Sequence, residues 1–162
     1  MSQAIQEAVA CIRAKKDVSP AIGIITGSGW DLTDILDGIC EIPYRDIPGF
    51  SCSTVEGHKG RVLLGSYRGK EVLCLQGRVH YYEGYSLEEV SFPIEVLSGL
   101  GVKNIIMTNA AGGIRPYLKP GDFMVITDHI NLMGINPLRG LARREGRTRF
   151  VDMSEAYDKG FV

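Results

Sequence analysis

The stretch Gln76-Gly77-Arg78-Val79-His80-Tyr81-Tyr82-Glu83-Gly84-Tyr85 is a dense group of hydrogen-bond donors placed directly after an apolar run. Arg78 and His80 are two positions apart, so on an extended chain their side chains face the same side. A guanidinium fork matches the spacing of phosphate oxygens, and each charge-assisted hydrogen bond it makes is worth about 1.5–3 kcal/mol. Glu83 can then orient or charge the imidazole. The same residues also read as a solvated loop, in which Arg78 and Glu83 form a surface ion pair worth about 0–1 kcal/mol.

Two further groups follow apolar runs. In Gly27-Ser28-Gly29 the backbone amides can approach an anion while the Ser28 hydroxyl donates to it, although a tight turn after a buried strand needs the same residues. In Thr108-Asn109-Ala110-Ala111-Gly112-Gly113 successive small residues leave the backbone open to a close-fitting ligand. His58, within Glu56-Gly57-His58-Lys59-Gly60, is a loop histidine that serves as another candidate donor or as an ordinary surface residue. His129, in Asp128-His129-Ile130-Asn131, reads equally as a satisfied structural histidine. A dinucleotide-binding loop is disfavoured because Leu32 stands where glycine or alanine is needed. A nucleotide-triphosphate loop fails as well: 65–70 has the wrong spacing, and Glu71 occupies the position of the magnesium-binding hydroxyl.

Helices and strands must carry these groups. Ile5, Ala8, Val9 and Ile12 fall at helical offsets and predict an amphipathic helix over 4–12. The run 21–25 is short, apolar and β-branched, which predicts a buried strand ending at the first glycine loop. Residues 38–60, punctuated by glycine and proline, suit an irregular connection. Runs 61–67 and 70–75 flank Arg68-Gly69 and predict a hairpin. Ser86 and Glu89 form a Ser-x-x-Glu capping box that opens a helix with Val90, Ile94 and Leu97 as its buried stripe. Pro93 suggests that its regular part starts there, and Gly101 suits its end. The runs 102–108 and 123–127 predict two more strands. Alternating strands and helices with small residues at the strand ends predict one α/β domain over 1–162, with a mixed central sheet flanked by helices and its site on the carboxyl edge.

The chain has 162 residues, with 18 Lys plus Arg against 19 Asp plus Glu, a balance that argues against a nucleic-acid surface. Five arginines between 139 and 149 lack the interleaved aromatics of a single-strand binder and read as a solvated segment. Without a long apolar run or a signal segment, no membrane partner is expected and the location is expected to be cytoplasmic. The four cysteines are isolated, with neither a zinc nor a redox spacing, and are expected to be reduced.

Taken in order, Gly27-Ser28-Gly29, Glu56-Gly57-His58, the 76–85 stretch, Thr108 to Gly113, Asp128 to Asn131 and Met153-Ser154-Glu155-Ala156-Tyr157-Asp158 resemble the trimeric class of purine nucleoside phosphorylase. The resemblance runs from Gly23 through about Asp158. It implies that Ser28, Arg78 and His80 hold inorganic phosphate, assisted by His58 and the Ala110 amide, with Glu83 as the partner of the His80 imidazole. His80, Glu83 and His58 are then the catalytic candidates. Tyr82 corresponds to a ribose contact, and Asn109, Ala110, Ala111 and Gly112 to the strand end beside base and phosphate. Phe150 corresponds to an aromatic reaching a neighbouring subunit's ribose, which implies a homotrimer. The implied reaction is phosphorolysis of a purine (deoxy)ribonucleoside to base and (deoxy)ribose 1-phosphate, with phosphate as co-substrate and no metal or organic cofactor. Members of that class are considerably longer, so the sheet is expected to be incomplete at its C-terminal side. Most of the phosphate site and little of the base site are expected here. Methylthioadenosine phosphorylase is a related alternative that Ser28 and Gln76 fit less well. A non-catalytic anion-binding or assembly module is the alternative of a different kind.

Overall fold

Three neighbouring parallel strands set the geometry of the molecule. The computed structural model describes residues 1–27, 29–55, 57–140 and 151–161, and the chain divides into two units, Met1–Ala110 and Ala111–Val162. The first unit contains, in chain order, α1 (Gln3–Lys15), β1 (Ile22–Thr26), β2 (Asp37–Pro43), β3 (Arg61–Tyr67), β4 (Lys70–Gln76), α2 (Leu87–Gly99) and β5 (Asn104–Met107). The strands form one mixed sheet in the order β2-β3-β4-β1-β5. β1 runs parallel to both β4 and β5, whereas β2, β3 and β4 form an antiparallel meander. The carboxyl ends of β4, β1 and β5 therefore open on one edge.

Side-chain alternation assigns the two faces of the sheet. Val62 and Leu64 of β3, Leu73 and Leu75 of β4 and Ile25 of β1 pack with Ile5, Ala8, Val9 and Ile12 of α1 and Val96 and Leu97 of α2. The intervening Leu63, Val72 and Cys74 face the other way, where Leu32 and Leu36 cover them. Full burial of each such side chain contributes about 1.5–3 kcal/mol. At Gly23, a Cβ would come within 3.0 Å of Val102 Cγ1 and 3.3 Å of Leu97 Cδ1, so the missing side chain lets the end of α2 lie close against β1.

The predicted helix, hairpin and capping box all form. Tyr67 pairs with Lys70 across Arg68-Gly69, both of which have positive φ as a two-residue hairpin turn requires. Glu89 N–H donates to Ser86 Oγ at 3.2 Å and Ser86 N–H to Glu89 Oε2 at 2.8 Å. α2 starts at this cap rather than at Pro93; of the predicted stripe Leu97 is buried while Val90 and Ile94 are half-buried, and Val96 and the C-cap Leu100 complete the buried end. Pro93 removes one helical donor, but the capping box satisfies the first turn and burial holds the last. At the end of the helix, Gly101 N–H donates to Ser98 O and Val102 N–H to Leu97 O, closing it in a Schellman pattern.

Three expectations are corrected. Residues 37–43 form β2 instead of an irregular link, because pairing with β3 outweighs weak local propensity; a register shift between Asp37 and Cys40 absorbs the irregular pattern. The strand predicted over 102–108 is shorter and lies at the sheet edge, where Ile105, Ile106 and Met107 are 41%, 50% and 57% exposed. Residues 123–127 form no strand: they join none of the ladders, and an apolar run becomes a strand only where another backbone pairs with it.

The second unit contains turns and no helix or strand among its described residues. Lys119 N–H donates to Asp122 Oδ2 at 2.8 Å, and Asn131 Nδ2 to Ile135 O at 2.9 Å. His129 Nδ1 lies 3.1 Å from Tyr157 Oη, in keeping with its structural reading. Among the described residues, no helix is long and apolar enough to cross a membrane.

Candidate functional site

The carboxyl edge of the parallel strands gathers the residues singled out from the sequence. Gly77 N–H donates to Thr26 O at 3.1 Å and Thr108 N–H to Ile25 O at 2.9 Å, so the ends of β4, β1 and β5 are held in register up to the edge. Beyond β4 the chain delivers Arg78, whose Nη1 donates to Thr108 O at 2.7 Å. The guanidinium thereby bridges over β1. Partial burial lowers the pKa of Arg78, with the nearby Tyr82 acting in the opposite direction. A Cβ placed on Gly27 would stand 3.9 Å from both terminal nitrogens of Arg78 and 4.0 Å from His58 Nε2. Gly27 is thus the floor on which a cation and an imidazole converge. Among the described residues, Arg78 makes no ion pair with Glu83, which removes the surface-pair reading of this loop.

His58 reaches the edge on a loop pinned by two backbone bonds: Gly60 N–H to Gln76 O at 2.9 Å and Tyr44 N–H to Gly60 O at 2.8 Å. Its Nδ1 lies 2.8 Å from Arg78 O and 3.1 Å from Ser53 Oγ. The His58 ring stacks on His80 with centroids 5.2 Å apart, and His80 stacks on Tyr82 at 4.8 Å. A short 3-10 turn, Tyr81–Glu83, brings Glu83 back to His80. Glu83 Oε1 accepts from His80 N–H at 2.7 Å and lies 2.9 Å from His80 Nδ1. Its other oxygen accepts from Thr54 N–H at 2.7 Å, Thr54 Oγ1 at 2.9 Å and Ser53 Oγ at 3.1 Å. Burial pushes the Glu83 carboxyl pKa up, but donation from Thr54 and from His80 outweighs it and holds the pKa down at about 2.

Beside Gly27 lies a cavity of about 210 Å³ lined by Gly27, Gly29, Trp30, Asp31, Gly57, Lys59, Gln76 and Gly77. Asp31 organises its wall: it pairs with Lys59, accepts from Gln76 Nε2 at 2.8 Å and lies 3.6 Å from Arg61 Nη2. Donation from Lys59, then from Thr33 and Gln76, keeps this carboxyl well below the usual carboxylate range. Gln76, 1% exposed, also accepts from Arg61 Nε at 2.6 Å, so its amide is part of the wall structure.

Of the predicted residues, Arg78, His58, His80, Glu83 and Tyr82 come together in the first unit. Asn109 and Ala110 follow Thr108 directly and are exposed. Ala111 and Gly112 open the second unit and are exposed there. Ser28 and Phe150 lie outside the described residues, as does Glu56. Sequence reading missed Ser53 and Thr54, which sit 30 and 29 positions from Glu83 in a stretch without any motif. Among the described residues, no three His, Cys, Asp or Glu side chains gather as metal ligands. Chemically, the edge offers one fixed cation and two imidazoles with a buried carboxylate behind them, an arrangement suited to a small oxyanion.

Comparison with known proteins gives the same direction. Residues 21–162 match the model of the phosphorylase superfamily. The chain is 49% identical over 160 residues to purine nucleoside phosphorylase 1 of Bacillus subtilis (strain 168), covering 98% of this chain and 59% of that protein. The crystal structure of purine nucleoside phosphorylase from Schistosoma mansoni in complex with acetate matches with TM-score 0.87 and 41% identity, over 98% of this chain and 60% of that one. The Schistosoma mansoni enzyme in complex with inosine matches with TM-score 0.86 and 41% identity, over 98% and 56%. The chain spans a little under three fifths of the Bacillus subtilis relative.

Proposed function

Because this chain belongs to the phosphorylase superfamily, we propose that it carries the phosphate-holding part of a purine nucleoside phosphorylase, which cleaves purine (deoxy)ribonucleosides with inorganic phosphate to free base and (deoxy)ribose 1-phosphate. The observation that carries this reading is the convergence of the Arg78 guanidinium and His58 Nε2 on Gly27, at the carboxyl edge of three parallel strands. Arg78 donates to phosphate with the nitrogens not committed to Thr108 O, and the two histidines complete the cradle with Ser28 and the Ala110 amide. The same reading assigns Tyr82 to the ribose, Phe150 to the ribose of a neighbouring subunit, and Asn109, Ala111 and Gly112 to base and phosphate.

In this reaction the departing purine leaves a sugar with oxocarbenium character, as in glycoside cleavage. Phosphate held beneath the sugar both stabilises that charge and forms the new bond to the anomeric carbon. Unit charges about 4 Å apart at an effective dielectric near 20 attract by about 4 kcal/mol, roughly three powers of ten in rate. The neighbouring Arg78 charge reduces this figure. Placement of phosphate therefore matters more than any nucleophilic side chain, and neither a metal nor an organic cofactor enters the reading. A homotrimer, in which Phe150 serves the adjacent subunit, and a cytoplasmic role in purine salvage belong to the same proposal.

A second reading, an anion-binding or assembly module without turnover, is favoured by the exposed apolar side chains Ile105, Ile106 and Met107 of β5. Incubation with inosine and phosphate, with hypoxanthine release followed spectrophotometrically, separates the two. Release supports the phosphorylase; phosphate binding without release supports the module. Faster cleavage of methylthioadenosine than of inosine would transfer the assignment to the related phosphorylase. An intact mass measured on the same material shows whether a companion fragment contributes to any turnover.

A further inference from the structure

Ser53 Oγ lies 3.1 Å from Glu83 Oε2, 3.3 Å from Glu83 Oε1 and 3.1 Å from His58 Nδ1. A hydroxyl has one proton to give, and its destination follows from the neighbours. Glu83, whose pKa is held low, is an anion that only accepts, so the Ser53 proton goes to Glu83. The Oγ lone pairs then accept from Val55 N–H at 3.1 Å and from His58 Nδ1–H. Arg78 supplies the other two neighbours of His58 Nδ1: its carbonyl O at 2.8 Å, which only accepts, and its backbone N–H, which approaches from 3.4 Å. The two shorter contacts are to acceptors and the 3.4 Å approach of the Arg78 N–H is the longest of the three, so Nδ1 carries the hydrogen, and Nε2 is left as the ring atom near Gly27. Glu83 orders His80 in the same sense, because the carboxylate faces His80 Nδ1 at 2.9 Å.

We infer that Ser53 is a positioning residue for the phosphate site: it relays Glu83 to His58, so that one carboxylate sets both histidines with Nδ1 protonated. The inference rests on the phosphate-site reading above and adds a residue that the family resemblance did not supply. Arg78 is then the charged donor of the cradle, beside the Ser28 hydroxyl and the Ala110 amide. The histidines accept a hydrogen bond through Nε2 when neutral and donate one when protonated.

The test uses the full chain with S53A, S53T, H58A and the S53A/H58A pair. Calorimetric titration with inorganic phosphate reads affinity, and long-range 1H–15N spectra read the ring nitrogens of each histidine. S53A weakens phosphate binding about tenfold, the scale of one hydrogen bond to a charged network, whereas S53T keeps the hydroxyl and binds within about threefold of wild type. In S53A the His58 nitrogens shift while those of His80 stay. Added to H58A, the S53A change costs less than about twofold, since the two act as a unit. Additive losses in the pair, or His58 nitrogens unmoved by S53A, would overturn the proposal. If S53A does not fold, a displaced His58 pattern in S53T would overturn it. If phosphate affinity is the same in R78A as in wild type, the phosphate-site reading fails, and the ring spectra still decide the relay on their own.

Discussion

Replacing Gly77 with alanine tests how tightly the site is built. Gly77 lies between β4 and Arg78 with φ +96°, and a Cβ there would stand 2.9 Å from His58 Cβ and 3.2 Å from His58 Cα. Two costs add. An L-residue in left-handed backbone costs about 1–2 kcal/mol, and forcing a methyl into occupied space adds about 1–3 kcal/mol. Gly77→Ala should therefore destabilise by about 2–5 kcal/mol, a large share of a typical 5–15 kcal/mol. Gly69, in the hairpin turn, supplies the matched control, with φ +75° and nothing within 4 Å of its added Cβ. Gly69→Ala incurs only the backbone cost. Urea unfolding of both variants should show Gly77→Ala worse by about 1–3 kcal/mol. Because the collision is with His58, phosphate affinity should fall for Gly77→Ala and stay unchanged for Gly69→Ala. Equal destabilisation of the two, or wild-type phosphate affinity in Gly77→Ala, would refute the reasoning.

Two further outcomes follow from the site. Arg78→Ala should weaken phosphate binding by roughly 30-fold or more, corresponding to one or two lost charge-assisted bonds, whereas Arg45→Ala, whose side chain is 79% exposed, should change it less than about twofold; equal losses in calorimetry would contradict the assigned cradle. Glu83 has a folded pKa near 2 against an ordinary 4.5, so its ionised network contributes stability that is fully present above the ordinary value and is lost as pH falls through the folded one. The stability difference between wild type and Glu83→Gln should accordingly be largest near neutrality and shrink between about pH 4.5 and 2, as read by denaturant midpoints across that range; a difference that grew on acidification would reverse the assigned sign.

Features whose causes are local could be read from the chain. The stripe Ile5, Ala8, Val9 and Ile12 is buried as its period predicts, and Ser86 with Glu89 makes the cap that their spacing implies. Arg68-Gly69 turns the hairpin because both residues take positive φ. β2 escaped notice because Gly38 and Pro43 weaken its local pattern, and it exists through its ladder with β3. Apolar character alone predicted a strand at 123–127, where no backbone pairs. At the site, Arg78, His80 and Glu83 were legible because they lie within one short loop, and His80–Glu83 is a contact between positions three apart. Ser53 and the Asp31–Gln76 bond were not, since those partners are separated by 30 and 45 positions.

From sequence alone, then, came the periodic elements, the family resemblance and the donors of the phosphate loop, all of them set by spacing that neighbouring residues impose on one another. Tertiary structure decided which of those donors meet. The parallel order β4-β1-β5 brings three strand ends to one edge, so Arg78 can span from its own strand to Thr108 while His58 arrives from a distant loop. A hydrogen bond forms only within a few tenths of an ångström of its preferred length, and for residues far apart in the chain that distance is fixed by how the sheet is stacked and twisted, which no local pattern encodes.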